Sequence, residues 1–304
     1  SPRNTRPRLR CAAVIISHEA PLCPTLFHMS TLSPRCVPHA PLGTLQSMNA
    51  TISLIGVGEM GAVFSHALLR TGHPVFPSLR STPATDAYQQ NPDPGLVLVT
   101  VGEDDLHPVL SDVPAAWRSR IGLIQNELLP RDWIRHGIES PTVAVVWFEK
   151  KPGRATRVII PTPVAGPHAD LLVDALTSID IAAEVIPNEA LIDALVAKNL
   201  YILTANIAGL RTGGTVAELW DDHHPLATAV ASEVLDIQDW LVGHPVNREQ
   251  ATAGMVEAFR GDPDHGTTGR SAPSRLERAI RHARMGGIDT PVLLEIGREA
   301  GLAV

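Results

Sequence analysis

Past residue 47 the sequence contains no cysteine. Its three cysteines, Cys11, Cys23 and Cys36, all precede that point, at spacings that suit neither a zinc site nor a paired disulfide framework. A thiol nucleophile and a thiolate-held metal are thereby excluded from the main body, and a reducing cytoplasm is the expected compartment. Lysine is as scarce: Lys150, Lys151 and Lys198 are the only three in 304 residues. No apolar run reaches the roughly 20 uninterrupted residues that cross a bilayer, because the best, from Leu191 to Leu210, is broken by Asp193, Lys198 and Asn206. No membrane partner is expected. Basic character is also missing from the body: the net charge is -7, yet residues 1–47 hold five arginines against Glu19, which leaves -11 for the remainder. Such a surface repels phosphate backbones, so no nucleic-acid partner is expected either.

What is present suits a folded protein with a sizeable core, 44% hydrophobic and 19% charged. Residues 1–47, with seven prolines and almost no aromatic side chains, are expected to be an unstructured extension, with Met48 as the functional start. From Thr51 the pattern changes. TISLIGVGEMGAVFSHALLRTGHPVFPSLR reads as an apolar strand, then Gly56, Gly58 and Gly61 in G-x-G-x-x-G spacing, then a helix over 62–70 and a strand over 75–78. The first glycine permits a tight turn, the second lets backbone amides approach a pyrophosphate, and the third lets the helix sit close to the strand. The pyrophosphate then rests on the unpaired N–H groups at the helix N-terminus, among Val57, Glu59 and Met60. The second strand ends Pro77-Ser78-Leu79-Arg80-Ser81-Thr82, without the acid that binds both ribose hydroxyls in NAD sites. Arg80 and Ser81 suit a 2'-phosphate instead, and the expected cofactor is NADPH/NADP.

Further strands are predicted over 95–101, ending at Thr100 and Val101 as further cofactor contacts, and over 120–126, with a helix-like segment at 104–118 between them. Segments 142–151 and 155–164, separated by Pro152-Gly153-Arg154, read as a hairpin, followed by a helix over 167–179 and the strand IAAEVI. From Asn188 the periodicity is helical, with helices over 188–210, 214–221, 225–242, 247–260, 274–286 and 291–300. The reading is α/β: a Rossmann-type doubly wound nucleotide domain over 48–187 and an all-α domain over 188–304, with the active cleft between them.

Within EALIDALVAKNLYILTANIAGL, Lys198 interrupts an apolar helix and shares a face with Ile202 and Asn206. A partly desolvated ammonium beside a carbonyl is a good general acid, since burial loosens its proton and an alkoxide needs one. The clusters Asp221-Asp222-His223-His224 and Asp262-Pro263-Asp264-His265 fall at predicted helix ends, where Asp and His cap, and no metal is expected.

With the glycine loop, Arg80, the strand ending Gln125-Asn126 and Lys198 placed, the chain from Met48 onward resembles the ketopantoate reductase (2-dehydropantoate 2-reductase) family. The likeness includes GHPVFPSLR, the Gln-Asn pair and MGGIDTP at 285–291. It implies that Lys198 is the general acid and that Asn126 and Asn206 are active-site asparagines. The chain departs from the family pattern in four places. Ile202 replaces an asparagine, the lysine usual after the fourth strand is missing around Gly102-Glu103, and Gln-Asn-Gly has become Gln-Asn-Glu at Glu127. No acid stands at Ser271–Pro273, where the family has a substrate-binding glutamate. In this stretch Arg270 and Ser271 are the expected substrate contacts, and the segment from Arg80 to Leu96 is too short for a full helix and a third strand. The expected activity is NADPH-dependent reduction of a small 2-oxo acid or related carbonyl compound, with a small-molecule substrate as partner and room for a homodimer. Two alternatives stay open: a beta-hydroxyacid dehydrogenase-type enzyme, suggested by Met60-Gly61 in the loop, and an NADPH-binding sensor or scaffold without activity.

Overall fold

The computed structural model describes residues 49–82 and 84–303; the extension expected over 1–47 lies outside them. Three short runs of apolar residues form adjacent parallel strands: β1 (Ile52–Ile55), β2 (Val75–Ser78) and, on the other side of β1, β3 (Leu96–Val99). The chain order reverses between β2 and β3, which opens a crevice at the carboxyl ends of the strands. Between β1 and β2 runs α1 (Glu59–Arg70), which starts one turn before the expected Ala62 because Gly58 itself serves as the N-cap. The segment after Arg80 accommodates a two-turn helix, α2 (Ala84–Gln90), and no additional strand, so β2 stays at the edge of the sheet.

The expected helix at 104–118 is divided. α3 (Glu103–Asp112) stops before Val113-Pro114, since a residue preceding proline is pushed out of helical geometry, and a 3-10 turn over Ala115–Arg120 follows. Next come β4 (Ile121–Leu123), the short α4 (Pro130–Ile134) and β5 (Thr142–Ala144). The predicted hairpin is also present in two pieces. Its far end is β6 (Phe148–Glu149) against β7 (Arg157–Val158), and its near end pairs β5 with β8 (Thr162–Ala165). Pro161 and Pro163 have no N–H to give the ladder, and the break turns the Trp147 ring into the helical half of the protein. After α5 (Ala169–Thr177), β9 (Ala183–Val185) closes a seven-stranded sheet of order β2-β1-β3-β4-β5-β8-β9.

Alternate residues of one strand face opposite layers. In β3, Leu96 and Leu98 meet α1 and α5 on one face, while Val97 and Val99 join the core that continues into the helices after residue 188. After β9 every element is helical, and the strand half and the helical half share that core. Its axis is α6 (Leu191–Thr212), 22 residues and so about 33 Å long. This helix is long and apolar enough to cross a membrane, with a mean hydropathy of 1.3, but 67% of that window is buried. Around it stand α7 (Val216–Asp221), α8 (His224–Val242), α9 (Arg248–Gly261), α10 (Ala272–Gly286) and α11 (Pro291–Glu299). The buried Glu233 of α8 accepts the free N–H groups of Val292 and Leu293 and so caps α11.

Candidate active site

At the carboxyl end of β1, Gly56 adopts φ +97°, and a Cβ there would press on Val101. A Cβ on Gly61 would lie 2.2 Å from the Gly56 carbonyl oxygen, so α1 approaches the loop as closely as it does only because both residues lack one. Gly58 differs from both, for nothing lies within 4 Å of the position a Cβ would take. It opens onto a cleft of about 740 Å³ walled by Gly56, Val57, Gly58, Arg80, Ser81, Thr100 and Val101. Among the described residues no side chain caps the first N–H groups of α1. An open, uncapped helix N-terminus facing a cleft of this size fits a dinucleotide pyrophosphate. The side chains of Glu59 and Met60 are not among the walls; Met60 packs on the sheet, so only their backbone N–H groups could serve. Thr100 and Gln125 brace the loop from behind: the Thr100 hydroxyl donates to the Ile55 and Gly56 carbonyls, and the Gln125 amide donates to those of Val99 and Val101.

Arg80 stands at the cleft mouth, its side chain 88% exposed and 2.5 Å from Asp105 in the first turn of α3. An exposed pair of this kind is worth only about 0–1 kcal/mol. An anion entering the cleft mouth can therefore displace Asp105 from the arginine.

Deeper in, the loops after β3 and β4 meet α6 and α10 in one charged network. Asn126 donates from Nδ2 to Glu103 Oε1 (3.0 Å). Arg275 donates from Nη2 to the same oxygen (3.1 Å), from Nε to Glu127 Oε1 (3.0 Å) and from Nη1 to Asn206 Oδ1 (2.6 Å). Asn206 in turn donates to the Thr267 carbonyl (3.0 Å). Burial opposes ionisation of Glu103, but the Asn126 amide and the Arg275 guanidinium outweigh it and hold the carboxyl below its ordinary range. Glu127 has φ +60°, a left-handed conformation that costs a non-glycine residue about 1 kcal/mol or more. Two arginines offset that strain, since Arg278 also grips both Glu127 oxygens, at 2.9 Å each.

Lys198 lies beside this network on the second turn of α6, 8% exposed. Its Nζ has no hydrogen-bond partner among the described residues and sits 4.1 Å from the Trp147 ring centroid and 5.3 Å from that of Tyr201. Burial, aided by the positive charge of Arg275 and opposed by Glu103, brings its pKa down to about 7. The Tyr201 hydroxyl, likewise buried, has no partner either, and burial pushes its pKa up.

The structure thus brings Asn126, Asn206 and Lys198 around one network, next to the glycine-loop cleft in that Gly102, one of its walls, directly precedes Glu103. Arg270 is exposed, and Ser271 ends up as the N-cap of α10, its carbonyl taken by the Ser274 hydroxyl and the Arg275 amide. The residue of that stretch that joins the network is Arg275, one turn further on. Sequence reasoning missed Arg275 and Arg278, and it noted Glu103 and Glu127 only as departures from a pattern. The signal was available in their signs: two acids just after β3 and β4, Glu103 and Glu127, and a basic residue just past the missing glutamate form a complementary set. The two Asp-His clusters do fall at helix ends. Asp222 ends α7, His223 precedes α8, and Asp262 ends α9, where it is buried against Arg157 and His265.

No protein-family model matches the chain, and no curated protein matches it in sequence. Solved structures do match in fold. One is 2-dehydropantoate 2-reductase from Methylococcus capsulatus, at 14% identity and a TM-score of 0.60, over 83% of this chain and 96% of that one. A probable 2-dehydropantoate 2-reductase from Bacillus subtilis is 18% identical, with a TM-score of 0.61 over 83% and 99%. D-mandelate dehydrogenase, in complex with NADH, is 13% identical, with a TM-score of 0.59 over 83% and 97%. The chain has the fold of these proteins along nearly their whole length.

Proposed function

We propose that the protein is an NADPH-dependent reductase of a small 2-oxo acid, with Lys198 as the general acid. The observation that carries this reading is a buried lysine, without a hydrogen-bond partner among the described residues, set beside the network that holds Asn126 and Asn206 and adjoins the glycine-loop cleft. Gly56, Gly58 and Gly61 would hold the pyrophosphate at the α1 N-terminus, and Arg80 with Ser81 the 2'-phosphate. When bound, the nicotinamide supplies the hydride. The chain's own residues do the rest. Lys198 hydrogen-bonds the carbonyl oxygen, stabilises the charge that develops on it and delivers a proton to it, with a pKa near 7 that suits a donor at neutral pH. Trp147 and Tyr201 keep water away from the ammonium and lend their ring faces to its charged form. Asn126 and Asn206 orient substrate or nicotinamide from the sheet side and the helix side. The overall likeness to 2-dehydropantoate 2-reductases and to D-mandelate dehydrogenase supports a carbonyl and alcohol pair next to a carboxylate. The structural neighbour from Staphylococcus aureus is described as a dimeric ketopantoate reductase, and a homodimer is the assembly we propose here.

The test is consumption of NADPH by the purified protein against a panel of 2-oxo acids and neutral carbonyl compounds. Turnover of at least one 2-oxo acid is expected. Tight NADPH binding with no turnover of any carbonyl compound would make the protein a sensor or scaffold instead.

A further inference from the structure

On the premise of a reductase at this site, we propose that Arg275 anchors the substrate's carboxylate, and that Glu103 holds that place until the substrate arrives. The acid substrate would then bind by exchanging one carboxylate for another on the same guanidinium.

Arg275 is an unusual arginine for this chain: its side chain is only 10% exposed, and it reaches the site from α10 to touch Asn206 on the helix that carries Lys198. Three of its N–H groups are spent, on Glu127, Asn206 and Glu103. Its two carboxylate partners are not equivalent. Glu127 is the more deeply buried, its side chain 14% exposed, and it is gripped through both oxygens by Arg278. It is fixed whether or not Arg275 lets go. Glu103 has a side chain 28% exposed, and among the described residues its hydrogen bonds to other side chains run to Arg275 and Asn126. It also follows Gly102, a residue of the cleft wall, in the first turn of a helix.

When Glu103 swings into the cleft mouth, it uncovers an arginine N–H and an amide N–H that had both been within 3.1 Å of a single carboxylate oxygen. Such a pair of donors is what another carboxylate needs. No bond is made or broken in the exchange, and the charge of the site is unchanged by it. A neutral carbonyl compound brings no anion to replace Glu103 and leaves Arg275 closed. The arrangement therefore selects substrates whose carbonyl lies next to a carboxylate, so that one end meets Arg275 and Asn126 while the other meets Lys198. The coupling between these two ends is visible in the protein alone, because the charges of both Arg275 and Glu103 act on Lys198.

The experiment is calorimetric titration of the NADPH-bound protein with oxamate, an isostere of a 2-oxo acid whose amide carbonyl resists reduction, and with the uncharged oxamide as control. Wild type should bind oxamate and not oxamide. Arg275→Gln should weaken oxamate binding about ten-fold or more. Glu103→Gln should tighten it several-fold, because the built-in competitor is gone. Arg275→Gln leaves two carboxylates short of a partner, so Arg275→Lys, which keeps the charge but loses the planar fork, is measured beside it and should fall between the two. Oxamate affinity unchanged in the Arg275 variants, or weakened rather than tightened in Glu103→Gln, would overturn the proposal, as would failure of wild type to bind oxamate. The two readings fail separately. Oxamate bound through Arg275 without turnover of any carbonyl compound would leave the anchor standing and remove the reductase, whereas turnover of neutral carbonyls without oxamate binding would do the reverse.

Discussion

Replacing Lys198 by methionine, which keeps the length of the side chain and discards the charge, should stabilise the protein most at neutral pH and least at alkaline pH. In the unfolded chain the lysine titrates near 10.5; in the fold, burial and Arg275 bring it to about 7. Between these values the unfolded state binds a proton that the native state does not, so wild-type stability rises with pH at about 1.4 kcal/mol per unit. A fall from 10.5 to about 7 amounts to about 5 kcal/mol across the window, the cost of holding Lys198 charged in the fold, felt in full below pH 7. Tyr201 sets the upper limit of the measurement. Its hydroxyl ionises more readily in the unfolded chain than in the fold, so above about pH 10 its titration lowers stability again. Urea unfolding of wild type and Lys198→Met at pH 7 and pH 9 keeps clear of that limit. The stability advantage of the variant should shrink by about 2 kcal/mol between the two pH values, because at pH 7 the folded lysine is already half deprotonated. Parallel stability curves for the two proteins would refute the reasoning, because they would mean that Lys198 keeps its proton as readily in the fold as in water.

The glycine loop and Arg80 provide two further tests. Gly61→Ala forces a Cβ to within 2.2 Å of the Gly56 carbonyl oxygen and should cost about 1–3 kcal/mol, lowering the melting temperature by several degrees. Gly58→Ala meets open space, so it should leave the melting temperature alone and weaken cofactor binding instead; the opposite order of effects by calorimetry would contradict the assignment of the cleft. Arg80→Ala should weaken NADPH about ten-fold or more by removing a charge-assisted phosphate contact, while NADH affinity stays as it was. Equal wild-type affinity for the two cofactors would argue against a 2'-phosphate site.

The parts of this fold that were legible in the sequence are those fixed by local chemistry. The β1–α1–β2 unit announces itself because three glycines at set spacing follow a continuous apolar strand, and the helical half announces itself by period. The misplaced boundaries have equally local causes. Val113-Pro114 cuts a predicted helix short, and Pro161 with Pro163 divides a predicted hairpin into two ladders, a consequence that depends on which strand each proline faces. At the site, Lys198 was conspicuous as a polar interruption of an apolar helix, and a buried position followed from that pattern. Arg275 was not, since arginines at 270, 275, 278, 281 and 284 look alike in one dimension. Only the packing of α10 against the loops after β3 and β4 singles out two of them and pairs them with Glu103 and Glu127. Contacts between residues 148 or more positions apart leave no periodic trace.

The central claim, a reductase in which Lys198 gives the proton, is tested most directly by single-turnover oxidation of bound NADPH with an accepted 2-oxo acid, in wild type and in Lys198→Ala, across pH 6 to 9. The wild-type rate should fall as pH rises through the lysine's pKa of about 7, since only the protonated form can donate. In Lys198→Ala the rate should drop by about 100-fold or more and lose that limb, with NADPH affinity unchanged because the phosphates are held elsewhere. A variant that keeps near-normal turnover and the same pH profile would contradict the account.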